Sequence, residues 1–224
     1  MIPFRDDVKA RRYPIVTTLI ILANLAVFLY ELSLPSQDLG HLITHHGVVP
    51  AKPSALPLGP PVTMLTSMFL HGGWFHLIGN MWFLWIFGDN IEDRMGHLRF
   101  LVFYLLCGLI ASGAHILSDP QSTIPSIGAS GAVAGVLGAY LISYPFARIL
   151  TLIPLFLIWP IVQLPAIVVL GSWFLLQLFS GTSAVAATSE TGGGIAWWAH
   201  IGGFLAGMVL IEVFSRRPVQ RYSW

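Results

Sequence analysis

The sequence predicts an all-α membrane protein built from six transmembrane helices. Three observations carry that prediction. The chain of 224 residues is 55% hydrophobic and only 9% charged, whereas a soluble domain carries about 25% charged residues. Its mean hydropathy is +0.76. Its charges are clustered, leaving six long charge-free intervals. A chain this poor in charge cannot cover a soluble surface with polar groups, and it is too apolar to be disordered. A net charge of +1 with no basic stripe argues against nucleic acid as a partner. The single cysteine, Cys107, cannot close an intramolecular disulfide and reads as a small core residue.

The intervals are taken as spans because a charge at mid-membrane costs about 2.5–3.5 kcal/mol. Span 1 is Tyr13–Tyr30; it has a basic flank, but no small-residue cleavage site follows it, so it reads as a retained anchor. The interval Pro53–Gly88 opens on Pro53, Pro57, Pro60 and Pro61, which read as loop, so span 2 is placed around Met64–Phe87. Span 3 is Phe100–Ser118. Span 4 is placed around Gly128–Tyr144, after a polar loop. The interval Ile149–Ser189 is broken by Pro154, Pro160 and Pro165, so span 5 is placed at roughly Ile161–Phe179, with an irregular or interfacial approach before it. Span 6 lies within Thr191–Ile211.

Six spans put ten of the eleven Lys and Arg residues on one side, Lys52 being the exception. By the positive-inside rule both termini are then expected to be cytoplasmic. The expected organisation is a cytoplasmic tail at 1–13, one membrane domain at 14–215 and a cytoplasmic tail at 216–224. The short tails and the lack of a transit peptide point to a bacterial plasma membrane.

Inside the spans the informative groups are histidine, asparagine and serine among glycines. An unsatisfied polar group in hydrocarbon costs several kcal/mol, so each needs a partner. Span 2 carries His71, His76 and Asn80; the last two are four apart and share a helix face, whereas His71 points elsewhere. Span 4 opens on Gly128-Ala129-Ser130-Gly131, and span 6 contains Ala199-His200-Ile201-Gly202-Gly203. Spans 2, 4 and 6 run in the same direction, so His76, Ser130 and His200 fall within roughly 10 Å of the outer boundary. Gly131 with Gly135, continued by Gly138, and Gly203 with Gly207 form small-xxx-small faces. Such faces let two backbones approach closely and would bring Ser130 within reach of His200.

Each residue alone has a plainer reading. A serine in a membrane helix usually bonds back to its own backbone, and His76 with Asn80 could simply join two helices. Together they describe a chemistry. A hydroxyl becomes a nucleophile when a base takes its proton, and His200 lies at the matching depth. No carboxylate stands inside the spans to orient it, which predicts a Ser–His dyad rather than a triad. The Ser130 backbone N–H at a helix start, with His76 and Asn80, would supply oxyanion donors. His41, His45 and His46 in the outer loop have a helical spacing that could hold zinc, but no carboxylate or cysteine joins them, and no metal or cofactor is expected. Trp74, Trp197 and Trp198 sit at span starts and read as an interfacial belt.

The stretches HGGWFHLIGNMWFLWIFGDNIEDRMG, GASGAVAGVLGAY and AHIGGFLAG, in this order, make the chain resemble the rhomboid family of intramembrane serine proteases. The resemblance implies a six-helix rhomboid-like bundle with Ser130 as nucleophile and His200 as base. It implies His76, Asn80 and the Ser130 N–H as the oxyanion hole. It also implies a structural role for Glu92 and Arg94, and a span 5 that leans aside to admit substrate. Many relatives carry an aromatic residue four positions after the nucleophile, stacked on the histidine; here that position is Ala134. A Trp-Arg pair common in the first outer loop is absent between Pro35 and Val62. The expected activity is endopeptidase cleavage in or near transmembrane segments of single-span membrane proteins, the bilayer being the other partner. Two further readings are a catalytically inactive rhomboid-like protein that binds membrane clients, and a channel or transporter. The latter should show polar groups through both membrane halves, or an internal repeat.

Overall fold

The computed structural model describes residues 1–52, 60–155, 158–186 and 197–216. In chain order the elements are β1 (Ile2–Asp6), α1 (Ile15–Ser33), α2 (Ser36–His46), α3 (Pro60–Thr66), a short 3-10 turn (Ser67–Phe69), α4 (Trp74–Met95), α5 (His97–Ser118), α6 (Ser130–Ser143), β2 (Arg148–Leu152), β3 (Ile161–Pro165), α7 (Ala166–Ala186) and α8 (Trp197–Phe214). Among the described residues α1, α5 and α8 are long and apolar enough to cross a bilayer. The apolar helix α6 has 14 residues. At 1.5 Å per residue it rises about 21 Å, short of the roughly 30 Å hydrocarbon core. Helix α4 has the length but carries Asp89, Glu92, Asp93 and Arg94 in its last turns. The protein is an integral membrane protein of mainly helical structure.

Helix α6 is the centre of the molecule. Every residue from Gly131 to Tyr140 is buried, as expected of a helix that is apolar all round. It packs most extensively on α8, and also on α5 and α4. The α6–α8 seam has backbone pressed on backbone. A Cβ added at Gly203 would collide with the Gly131 carbonyl, one at Gly207 with the Gly135 carbonyl, and one at Gly138 with the Phe204 carbonyl. Only glycine permits that approach.

Helix α1 starts without an acidic residue or a capping side chain of its own. Its first N–H groups need acceptors, and Glu92 of α4 supplies them. Its carboxylate accepts from Val16 N at 2.8 Å, Thr17 N at 2.7 Å and Thr17 Oγ1 at 2.7 Å. His97 Nδ1 lies 2.5 Å from the same group. The carboxylate also suits the positive end of the helix dipole.

The all-α expectation needs correction. A three-stranded antiparallel sheet, ordered β1-β2-β3, sits at the end of α6 away from Ser130. Residues 1–13, expected as a tail, contain β1, which pairs with β2 and is tied to α4 by a 2.6 Å bond from Trp82 Nε1 to Pro3 O. Asp6 closes the attachment, accepting from Asn90 Nδ2 at 2.8 Å and from the Tyr140 hydroxyl. Burial pushes its carboxyl up to about 7. Span 5 was placed too early, because Ile161–Pro165 is strand and the helix begins at Ala166. Prolines 154, 160 and 165 exclude a helix there, and the β-branched residues between them suit a pleated surface. The approach to span 5 is therefore a hairpin, whose exposed Leu155, Ile158 and Trp159 are apolar.

Span 2 also needs correction. Pro60 and Pro61 open α3 instead of lying in loop, as proline does in a first helical turn; Pro53 and Pro57 lie outside the described residues. The long helix starts only at Trp74, after Gly72 and Gly73, and runs to Met95. The opening of span 6 and most of the tail at 216–224 also lie outside the described residues.

Candidate active site

The N-terminal ends of α4, α6 and α8 converge. Ser130 is the first residue of α6, His200 lies in the first turn of α8, and His76 and Asn80 lie in the first two turns of α4. The Ser130 Oγ stands 2.8 Å from His200 Nε2 across 70 residues of sequence. The glycine seam explains this meeting: it sets α6 against α8 at backbone distance, with the two side chains just beyond its end. Both side chains are half-buried.

The other ring nitrogen of His200 is also held. Nδ1 lies 2.7 Å from Oε1 of Gln177, a buried residue of α7. A carbonyl oxygen only accepts, so Nδ1 carries the proton and donates it. Nε2 then presents its lone pair to the Ser130 hydroxyl. Trp173 of α7 lies with its ring centroid 6.0 Å from the imidazole, and Trp197 meets it edge-on at 6.5 Å. These groups occupy the surroundings of His200, where Ala134 has no ring to offer. Sequence reasoning missed Gln177. The available signal was a lone side-chain amide in an apolar helix, which must find a partner.

Beside Ser130, Gly128 adopts φ +120° and donates its N–H to Ser67 O at 2.8 Å. A Cβ there would meet His76 Cε1 and Nε2 at 2.6 Å, and would lie 3.7 Å from Asn80 Nδ2. Both conformation and space therefore require glycine. His76 and Asn80 thus border the backbone two residues before Ser130. No side chain caps α6, so its first-turn N–H groups have no partner within the helix.

His71 does not point elsewhere. Its Nε2 accepts from Asn80 Nδ2 at 3.1 Å, and its ring meets that of His76 edge-on at 5.0 Å. Its backbone N–H donates to the buried Glu31 carboxylate, 3.2 Å from each oxygen. Gly72 and Gly73 separate His71 from α4, so the residue does not follow the helical wheel that directs it away from His76. Asn80 has two amide hydrogens, so one remains for another acceptor.

His41, His45 and His46 lie on α2, between α1 and α3. Among the described residues no group of three or more His, Cys, Asp or Glu side chains is placed to hold a metal. Cys107 is buried and unpaired.

Comparison with known proteins identifies related sequences. The rhomboid domain matches residues 59–217. RHOMBOID-like protein 5 of Arabidopsis thaliana is 30% identical over 159 residues, covering 71% of this chain and 46% of the relative. Rhomboid-like protein 11, chloroplastic, of the same plant is 27% identical over 208 residues, covering 89% of this chain and 65% of the relative. Rhomboid protease GluP of Bacillus subtilis (strain 168) is 44% identical over 78 residues, covering 35% of this chain and 15% of the relative. The chain thus spans between about half and two thirds of the length of the two plant relatives. With a matched domain covering most of its length, and with the Ser130, His200 and His76–Asn80 segments all inside that match, the chain belongs to the rhomboid family.

Proposed function

We propose that the protein is an intramembrane serine endopeptidase with Ser130 as nucleophile and His200 as general base. The observation that carries this reading is the 2.8 Å contact between Ser130 Oγ and His200 Nε2. In the first step Oγ bonds to a substrate carbonyl carbon while its proton passes to Nε2. The carbonyl oxygen becomes an oxyanion. The Ser130 backbone N–H, His76 and the free hydrogen of Asn80 Nδ2 would stabilise it. The imidazolium then gives its proton to the leaving amine as the C–N bond breaks. Water, deprotonated by Nε2, hydrolyses the acyl-enzyme and restores Ser130.

The substrates are single-span membrane proteins, cut in or near their transmembrane segments. In this reading the chain crosses six times, through α1, α4, α5, α6, α7 and α8, with both termini cytoplasmic and the site near the outer boundary of a bacterial plasma membrane. The basic residues around β1, Arg94, Arg99, Arg148 and Arg216 support that orientation.

The test uses purified protein in lipid and a single-span reporter. Ser130→Ala and His200→Ala each reduce cleavage to background. Wild-type activity in either variant would refute the dyad. A serine-directed fluorophosphonate labels the wild-type protein but not Ser130→Ala; absence of wild-type labelling would favour the client-binding reading.

A further inference from the structure

We propose that Gln177 is the positioning residue for His200, so that the base depends on a side chain delivered by α7. This deepens the dyad reading and rests on it. The dyad itself lies on α6 and α8, whereas Gln177 reaches His200 from a third helix. Its Oε1 is 2.7 Å from Nδ1, while Nε2 faces Ser130 at 2.8 Å. The two bonds use opposite sides of the ring. A hydrogen bond donated by Nδ1 to Gln177 Oε1 selects the one neutral tautomer whose Nε2 can take a proton. A carboxylate in this place would do the same and would also stabilise the imidazolium. A neutral amide supplies orientation and tautomer at a site where an unpaired carboxylate would be costly to bury.

The residue's placement is otherwise unexplained. Gln177 is 8% exposed, whereas its neighbours Leu175, Leu176, Leu178 and Phe179 are exposed. A helix that turns its one amide inward among apolar residues must satisfy that amide, and the His200 ring does so. Among the described residues, His76 of α4 and His115 of α5 act electrostatically on His200 from other helices.

The experiment compares Gln177→Leu and Gln177→Glu in lipid. Gln177→Leu should lower kcat by about 10- to 100-fold, a part of the 10²–10⁴ that a positioned base supplies, with KM within about twofold. Gln177→Glu should restore much of kcat and move the acid limb of the pH–rate profile to higher pH, since a carboxylate beside Nδ1 favours the charged ring. A folded Gln177→Leu protein with wild-type kcat would overturn the proposal. If the leucine variant fails to fold, the glutamate variant decides: an unmoved acid limb would overturn it equally.

A readout that needs no turnover separates this proposal from the dyad. In ¹⁵N-histidine spectra of the inactive Ser130→Ala protein, His200 should carry its proton on Nδ1, and adding Gln177→Leu should mix the tautomers. Unchanged spectra would refute the role of Gln177 whatever Ser130 does. Retained cleavage by Ser130→Ala would refute the dyad whatever the spectra show.

Discussion

The α6–α8 seam and helix α7 hold the site in different ways. Along the seam, glycines at 138, 203 and 207 let main chain touch main chain, while Gly131 and Gly135 make room for Ala111 and Cys107 of α5. No rotamer change can loosen such a contact, so the separation of Ser130 from His200 is built into the backbone. Helix α7 is seated by side chains: Ala166, Val169, Leu170 and Gln177 are buried, while Leu175, Leu176 and Phe179 are 62–71% exposed. Its start is tied down by Ala166 N to Ala147 O at 2.8 Å and Ile167 N to Pro145 O at 2.9 Å. The contrast teaches a division of labour. Distance within the dyad belongs to the rigid pair, and orientation of the base belongs to the helix held by fewer buried groups.

One substitution made in both places tests the contrast. In the seam, Gly203→Ala drives a Cβ into the Gly131 carbonyl. The expected cost is at least about 1–3 kcal/mol, read as a lowered melting temperature in detergent, with loss of cleavage as α6 and α8 part. On α7, a Cβ at Gly171 meets nothing within 4 Å. Gly171→Ala should therefore be neutral or stabilising by up to about 0.5–1 kcal/mol, the ordinary helical gain over glycine. Equal losses at the two positions would abolish the distinction.

The smallest expected effect concerns the sheet from which α7 emerges. Asp6 holds β1 to Asn90 and Tyr140, and its carboxyl is raised from 3.8 to about 7, by burial first and by Asp89 and Asp7 next. An acid raised on folding favours the fold while protonated. That contribution is complete below about 4 and is lost as the pH rises through about 7. Hydrogen exchange of the Ile2–Asp6 amides, corrected for intrinsic rates, should therefore show weaker protection at pH 8 than at pH 5. Asp6→Asn should flatten the difference, and a flat wild-type profile would remove Asp6 from the anchor.

Much of this was legible in the sequence, for identifiable reasons. Charge gaps located α1, α5, α6 and α8, because hydrocarbon rejects charge whatever the tertiary structure. Gly138, Gly203 and Gly207 foretold the seam, because close approach leaves no freedom of residue type, whereas Gly131 and Gly135 proved to make room for α5. The sheet was not legible, since Ile2–Asp6 pairs with Arg148–Leu152 and nothing local in either segment names the other. Span 5 was misplaced by the same omission. Gln177 was passed over because an isolated amide announces that it needs a partner without saying which. His71 was misdirected because the wheel was drawn through two glycines that break it.

The saturated carboxylate of Glu92 bears on how the polypeptide acquires its shape during synthesis. Helix α1 leaves the ribosome before α4, yet the acceptor for its opening amides is on residue 92 and the neighbouring imidazole on residue 97. The earlier helix is thus completed only when the far end of α4 arrives. Order of birth and order of consolidation run in opposite directions for this pair, and a chain interrupted before Glu92 would leave the start of α1 without its acceptor.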